Sequence, residues 1–94
     1  MATADQRCVT TMKIVNRLGL HARPAMAFVD TANQFTSHIT VRKDEQAVDG
    51  KSIMQMMMLA ATCGTELEVE AVGPDADQAL AELQRLIDRK FDED

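Results

Sequence analysis

Glu66-Leu67-Glu68-Val69-Glu70-Ala71-Val72 alternates acid with aliphatic and stops at Gly73-Pro74-Asp75. Successive side chains of a strand point to opposite faces, so this segment sets Leu67, Val69 and Ala71 on one side and the three glutamates on the other. The glutamate side reads as a solvated strand face and nothing more. A sheet built around such a strand has one wet face and one covered face, as antiparallel sheets do when their helices gather on one side. Outward toward the C-terminus, Ala76, Ala79, Leu80, Leu83 and Ile87 recur at helical spacing, and Phe91-Asp92-Glu93-Asp94 follows as an acidic tail. Outward toward the N-terminus, residues 53–61 are apolar almost all round. Met, Leu and Ala dominate over β-branched residues there, so the composition predicts a helix, capped by Ser52 after the Asp49-Gly50-Lys51 turn and stopped at Gly64.

Before that helix, residues 38–43 alternate with Ile39 and Val41 inward. Asp44-Glu45-Gln46 is a polar turn, and residues 47–49 return as a short strand. A first helix begins near His21 to Pro24, because proline is favoured in a helix's first turn. Ala25, Phe28, Val29 and Ala32 form its apolar stripe, and Asn33 and Gln34 end it. Residues 9–15, with Thr10, Met12 and Ile14 alternating, read as the first strand. The order is βαββαβα: an α+β, open-faced β-sandwich with a four-stranded antiparallel sheet and three helices on one face.

Ninety-four residues fit one domain, residues 1–94, with a stability on the order of 5–10 kcal/mol. Such a domain cannot enclose a large substrate, so its chemistry is expected at the surface. Ten basic against fifteen acidic residues give a net charge of −5, which argues against nucleic acid and against anionic membrane surfaces. No apolar run approaches the ~20 residues of a membrane span. The first nine residues, with Asp5, Gln6 and Arg7, lack the apolar stretch of a secretory signal, so a cytoplasmic address is expected. Cys8 and Cys63 lie far apart and are expected as free thiols in a reducing compartment. No set of metal ligands is visible, and neither metal nor cofactor is expected.

One stretch has chemical content: Gly19-Leu20-His21-Ala22-Arg23-Pro24-Ala25. A histidine at the mouth of a helix faces unpaired backbone N–H groups and the positive end of the helix dipole. That field disfavours a positive charge on the ring and favours an anion placed there, since helix N-termini bind phosphate. Arg23 adds a guanidinium whose fork matches phosphate oxygens. Pro24 has no N–H, which leaves the amides of Ala22 and Arg23 as donors. The plainer reading is a histidine that caps the helix beside a solvated arginine. Likewise Ser52 has a cap's position and His38 a surface strand position. Residues 53–59 carry more apolar side chains than one core-facing stripe can bury.

The string Leu18-Gly19-Leu20-His21-Ala22-Arg23-Pro24-Ala25 closely resembles the active-site signature of the histidine-containing phosphocarrier (HPr) family of the phosphoenolpyruvate-dependent phosphotransferase system. The resemblance extends from Thr10 to Phe91 through Lys51-Ser52-Ile53-Met54, the Gly64-Thr65 turn, the glutamate-rich strand and the Ala79-Leu80/Leu83 helix. It implies a carrier, not an enzyme. His21 would be phosphorylated on Nδ1 by enzyme I and would pass the group to an enzyme IIA-type domain, with Arg23 steadying it. Ser52 matches the serine that an HPr kinase/phosphorylase modifies in some bacteria. Leu20, Ile53, Met54 and Met57 would form the apolar patch that docks partners. Asp30, Asn33, the Met26-Ala27-Phe28-Val29-Asp30 run and the acidic end look closer to the nitrogen-type (NPr) branch than to the sugar-type carriers.

Overall fold

In the computed structural model, which describes residues 6–92, the chain forms β1 (Gln6–Lys13), α1 (Ala22–Ala32), β2 (His38–Lys43), β3 (Gln46–Asp49), α2 (Ile53–Met58), β4 (Glu66–Gly73) and α3 (Ala76–Asp88), then a short 3-10 turn (Lys90–Asp92). The four strands make one sheet in the order β1-β4-β2-β3, and every neighbouring pair is antiparallel. The βαββαβα order is the one read from the sequence, with the helices over one face. Leu67, Val69 and Ala71 of β4 are fully buried, as are Met12, Ile39 and Val41 on the neighbouring strands. Phe28 and Ala25 of α1, Met56 of α2, and Leu83 and Ile87 of α3 close the core from the other side. Helix α3 lies on β1 and β4, while α1 packs against both α2 and α3.

Four expectations need correction. Strand β1 ends at Lys13, not at residue 15, and begins by Gln6; Ile14 leaves the ladder to exchange hydrogen bonds with the turn that follows α2. Its N–H donates to the Thr65 carbonyl at 2.9 Å, and its carbonyl accepts from Gly64 N–H at 2.7 Å. Gly64 (φ +93°) therefore serves that crossing and does not stop α2. Helix α2 is only six residues long and ends at Met58, with Leu59 as its C-cap and Ala60 in the left-handed region at φ +51°. Side chains from the β2–β3 hairpin take over its last carbonyls: Lys43 Nζ donates to Leu59 O at 2.9 Å and Gln46 Nε2 to Met58 O at 3.5 Å. A cation at that end also complements the helix dipole.

Glu70 is not a simply wet residue. It is 8% exposed, and Arg7 Nε and Arg42 donate to its two carboxylate oxygens at 2.5 and 2.6 Å; Arg42 also reaches Glu68 at 3.0 Å. The antiparallel register sets Glu70 between Val9 and Thr40, so arginines from both flanking strands can converge on it. Arg42, and after it Arg7, hold its carboxyl below the usual range against the opposing effect of burial. Phe91 is buried and seals the lower core beside α3; it is not part of a solvated tail. Glu93, Asp94 and the first five residues, on which the readings of an acidic end and of the N-terminal segment partly rest, lie outside the described residues.

Candidate functional site

The approach to His21 is a tightly held loop. Asn16 is fully buried, and its Nδ2 donates to the Gly19 carbonyl at 2.7 Å, while Gly19 N–H donates to Asn16 O at 3.1 Å. Gly19 adopts φ +74°, and a Cβ there would stand 2.6 Å from the Ala61 carbonyl oxygen and 2.8 Å from Thr62 Cα. No other residue permits that approach without moving backbone. The contact lets Leu20 N–H donate to Ala61 O at 2.8 Å, so the chain just before His21 rests on the segment leaving α2. His21 N–H then closes onto Gly19 O at 3.0 Å.

His21 is the N-cap of α1 through its backbone. It is extended (φ −80°, ψ −168°), and its carbonyl accepts from Ala25 N–H at 2.9 Å. Its ring makes no capping hydrogen bond to the helix, so the plainer reading of a histidine that simply caps α1 does not describe it. The residue is half-buried, whereas Ala22 and Arg23 beside it are exposed and Pro24 is buried. The first-turn amides of any helix lack intrahelical acceptors, and the first turn of α1 carries no acid to compete for them. The structure thus sets the imidazole at the amide end of α1, with Arg23 exposed in the same first turn. That set can hold a dianion on the ring without a metal.

Ser52 is the N-cap of α2 (φ −112°, ψ 115°), and its Oγ accepts from Gln55 N–H at 3.3 Å. Gln55 Oε1 in turn accepts from Asp49 N–H at 2.9 Å, which fixes the entry of the helix. Beyond the cap, Met54, Met57 and Met58 are 77%, 46% and 67% exposed, Ile53 is partly buried, and Met56 points into the core. Of the four residues expected in an apolar docking patch, Leu20 is misplaced. It is only 5% exposed and belongs to the core, while Leu18, on the near side of the Gly19 turn, is 65% exposed. Alternation could not assign these two leucines, because the positive φ of Gly19 lies between them. Met58 was legible as the residue one turn beyond Met54, but the resemblance that supplied the expected patch named only Ile53, Met54 and Met57 of this helix.

Elsewhere His38 is exposed at the start of β2, and Cys8 and Cys63 are separate free thiols, half-buried and exposed respectively. Among the described residues, no group of three or more His, Cys, Asp or Glu side chains comes together that could hold a metal ion. No helix is long and apolar enough to cross a membrane among the same residues.

Comparison with known proteins gives a family model described as the PTS HPr component phosphorylation site, which matches residues 9–89. The phosphocarrier protein HPr of Treponema pallidum is 45% identical over 86 residues, covering 92% of this chain and 98% of that protein. The phosphocarrier protein NPr of Escherichia coli K12 is 39% identical over 85 residues, covering 89% and 94%. Among solved structures, HPr from Thermoanaerobacter tengcongensis superposes with a TM-score of 0.89 at 44% identity, over 93% of this chain and 98% of that one.

Proposed function

The chain belongs to the histidine-containing phosphocarrier (HPr) family and is a phosphocarrier of a phosphotransferase-system relay, a carrier and not a catalyst; within that role we propose that His21 is the residue that takes up and gives up the phosphoryl group. The observation that carries this reading is the placement of His21 as a backbone N-cap whose ring does not cap the helix. The unprotonated ring nitrogen attacks the donor's phosphorus, a new N–P bond forms, and the bond from phosphorus to the donor breaks. The amides of Ala22 and Arg23 and the Arg23 guanidinium face the charge that gathers on the phosphoryl oxygens. Transfer to the acceptor is the same exchange in reverse.

The donor in this reading is enzyme I and the acceptor an enzyme IIA-type domain. Both dock in turn on Ile53, Met54 and Met57, with Met58 and Leu18 extending the apolar surface in place of Leu20. Interfaces at the small end of the usual range suit partners that must release quickly. We read residues 1–94 as one domain working in the cytoplasm. Ser52 is a helix cap first, and an HPr kinase/phosphorylase is its candidate modifier. The likeness to HPr and to NPr relatives alike supports the relay role in either branch.

Incubation with phosphoenolpyruvate and enzyme I should add one phosphoryl group, labile in acid and stable in alkali, as an N–P bond is. His21→Ala should abolish uptake. Equal phosphorylation of the His21→Ala protein would refute the assignment.

A further inference from the structure

Helix α2 presents sulfur to solvent in an unusual concentration. Half of its six residues are exposed methionines: Met54 and Met58 stand one turn apart, and Met57 sits beside them on the same side. Two other methionines, Met12 and Met56, are fully buried, so the chain carries its own internal control. Thioethers are flexible and polarisable, which lets one face fit several partners, and they are the side chains most readily oxidised after thiolates. The helix carries no charged residue and only one polar one, Gln55, so its own contribution to docking is mostly apolar contact.

We propose that Met54, Met57 and Met58 form a modification site for hydroperoxides, and that their sulfoxidation weakens docking of the transfer partners while leaving the fold and the His21 chemistry intact. This rests on the reading of α2 as the docking face. In the step itself the thioether lone pair attacks one peroxide oxygen, the O–O bond breaks and an S–O bond forms. Sulfur is oxidised by two electrons, and the other oxygen leaves as water (from hydrogen peroxide) after taking up the proton. Each sulfoxide puts a strong hydrogen-bond acceptor where a partner must strip water away, at a cost to binding. The fold is insulated because the features that hold α2 do not use these side chains. They are the Ser52 cap, the Gln55–Asp49 hydrogen bond, the buried Met56 and Leu59, and the Lys43 hydrogen bond to the Leu59 carbonyl. Methionine sulfoxide reductase reverses the change.

The test treats the full chain with hydrogen peroxide, maps oxygen uptake by peptide mass spectrometry, and measures phosphoryl transfer from enzyme I with the carrier as varied substrate. Oxygen should enter Met54, Met57 and Met58, and also Met26 of α1, which is 46% exposed and which the leucine variant below retains, and it should spare Met12 and Met56. KM should rise about tenfold, equivalent to ~1.4 kcal/mol, with kcat and the thermal melt unchanged, and the reductase should restore it. The M54L/M57L/M58L variant, whatever its own starting KM, should show the same KM before and after peroxide. An unchanged KM in fully sulfoxidised carrier overturns the proposal. So does a peroxide effect that persists in the leucine variant, which would assign it to Cys63 or another group. Met54→Glu without peroxide separates the two levels of inference. A normal KM there removes the docking reading itself, whereas a raised KM beside a silent sulfoxide removes only this one.

Discussion

His21 and Arg23 lie two residues apart in the chain, so in the proposed reading one helix start would supply nucleophile, amides and cation together, and a single short string carries the whole candidate site. Arg23 is exposed, so its removal has little packing consequence. Arg23→Ala should leave the thermal melt unchanged and slow phosphoryl transfer by roughly a hundredfold, the scale of losing one preorganised charge-stabilising group. A transfer rate equal to that of the parent would return Arg23 to the solvent. Ser52 behaves differently, since its observed hydrogen bond is a cap's. Ser52→Ala should cost about 1 kcal/mol in denaturant unfolding and transfer normally. Ser52→Asp can still cap, yet it sets a charge at the edge of the methionine face and should slow transfer. If Ser52→Asp transfers as fast as the parent, the residue is a cap only. Leu18 and Leu20 show where single residues were not legible. The left-handed turn at Gly19 decides which leucine meets the core, and its geometry follows from contact with Ala61 and Thr62, far along the chain.

Strand β4 and helix α3 were legible as elements because each repeats one period cleanly. Leu67, Val69 and Ala71 mark the period of two, and Ala76, Ala79, Leu80, Leu83 and Ile87 the helical one. Helix α2 was legible as a helix with its Ser52 cap but not in its extent, since a run of methionines carries no period, and it stops at a left-handed alanine after carbonyls that side chains of another hairpin bind. Ala60 at φ +51° bears the steric cost that glycine avoids. Ala60→Gly should therefore stabilise the protein, by roughly 0.5–1 kcal/mol once the greater freedom of glycine in the unfolded chain is subtracted. Chemical denaturation of the variant beside the parent measures it. A destabilised variant would mean that the left-handed turn at Ala60 is not the stop of α2.

Two carboxylates tie the molecule together across its elements, and the sequence pattern pointed to neither. Glu70 joins β1, β4 and β2 through Arg7 and Arg42. Asp75, just before α3, accepts hydrogen bonds from Thr36 N–H at 2.9 Å and from Ser37 N–H and Oγ at 2.9 and 2.5 Å, which fastens the α1–β2 loop to the start of α3. The Ser37 hydroxyl foremost, then the Thr36 amide, holds the Asp75 carboxyl below its usual range, as Arg42 foremost does for Glu70. A carboxyl whose folded pKa is depressed contributes stability above its unfolded pKa, and that contribution is lost as pH falls through the folded value. Unfolded carboxylates titrate near about 4, so the melting temperature should be level from neutral pH to about 5 and fall below that. Asp75 is only half-buried, and the arginines that pair with the buried Glu70 reach solvent, so the loss from each is modest and, for Glu70, reduced further by salt. Glu70→Gln and Asp75→Asn should each lower the melting temperature at pH 7, and the gap to the parent should close as the pH approaches 3. A gap as wide at pH 3 as at pH 7 would show that these side chains stabilise by shape and neutral hydrogen bonding, and that their charge ties nothing together.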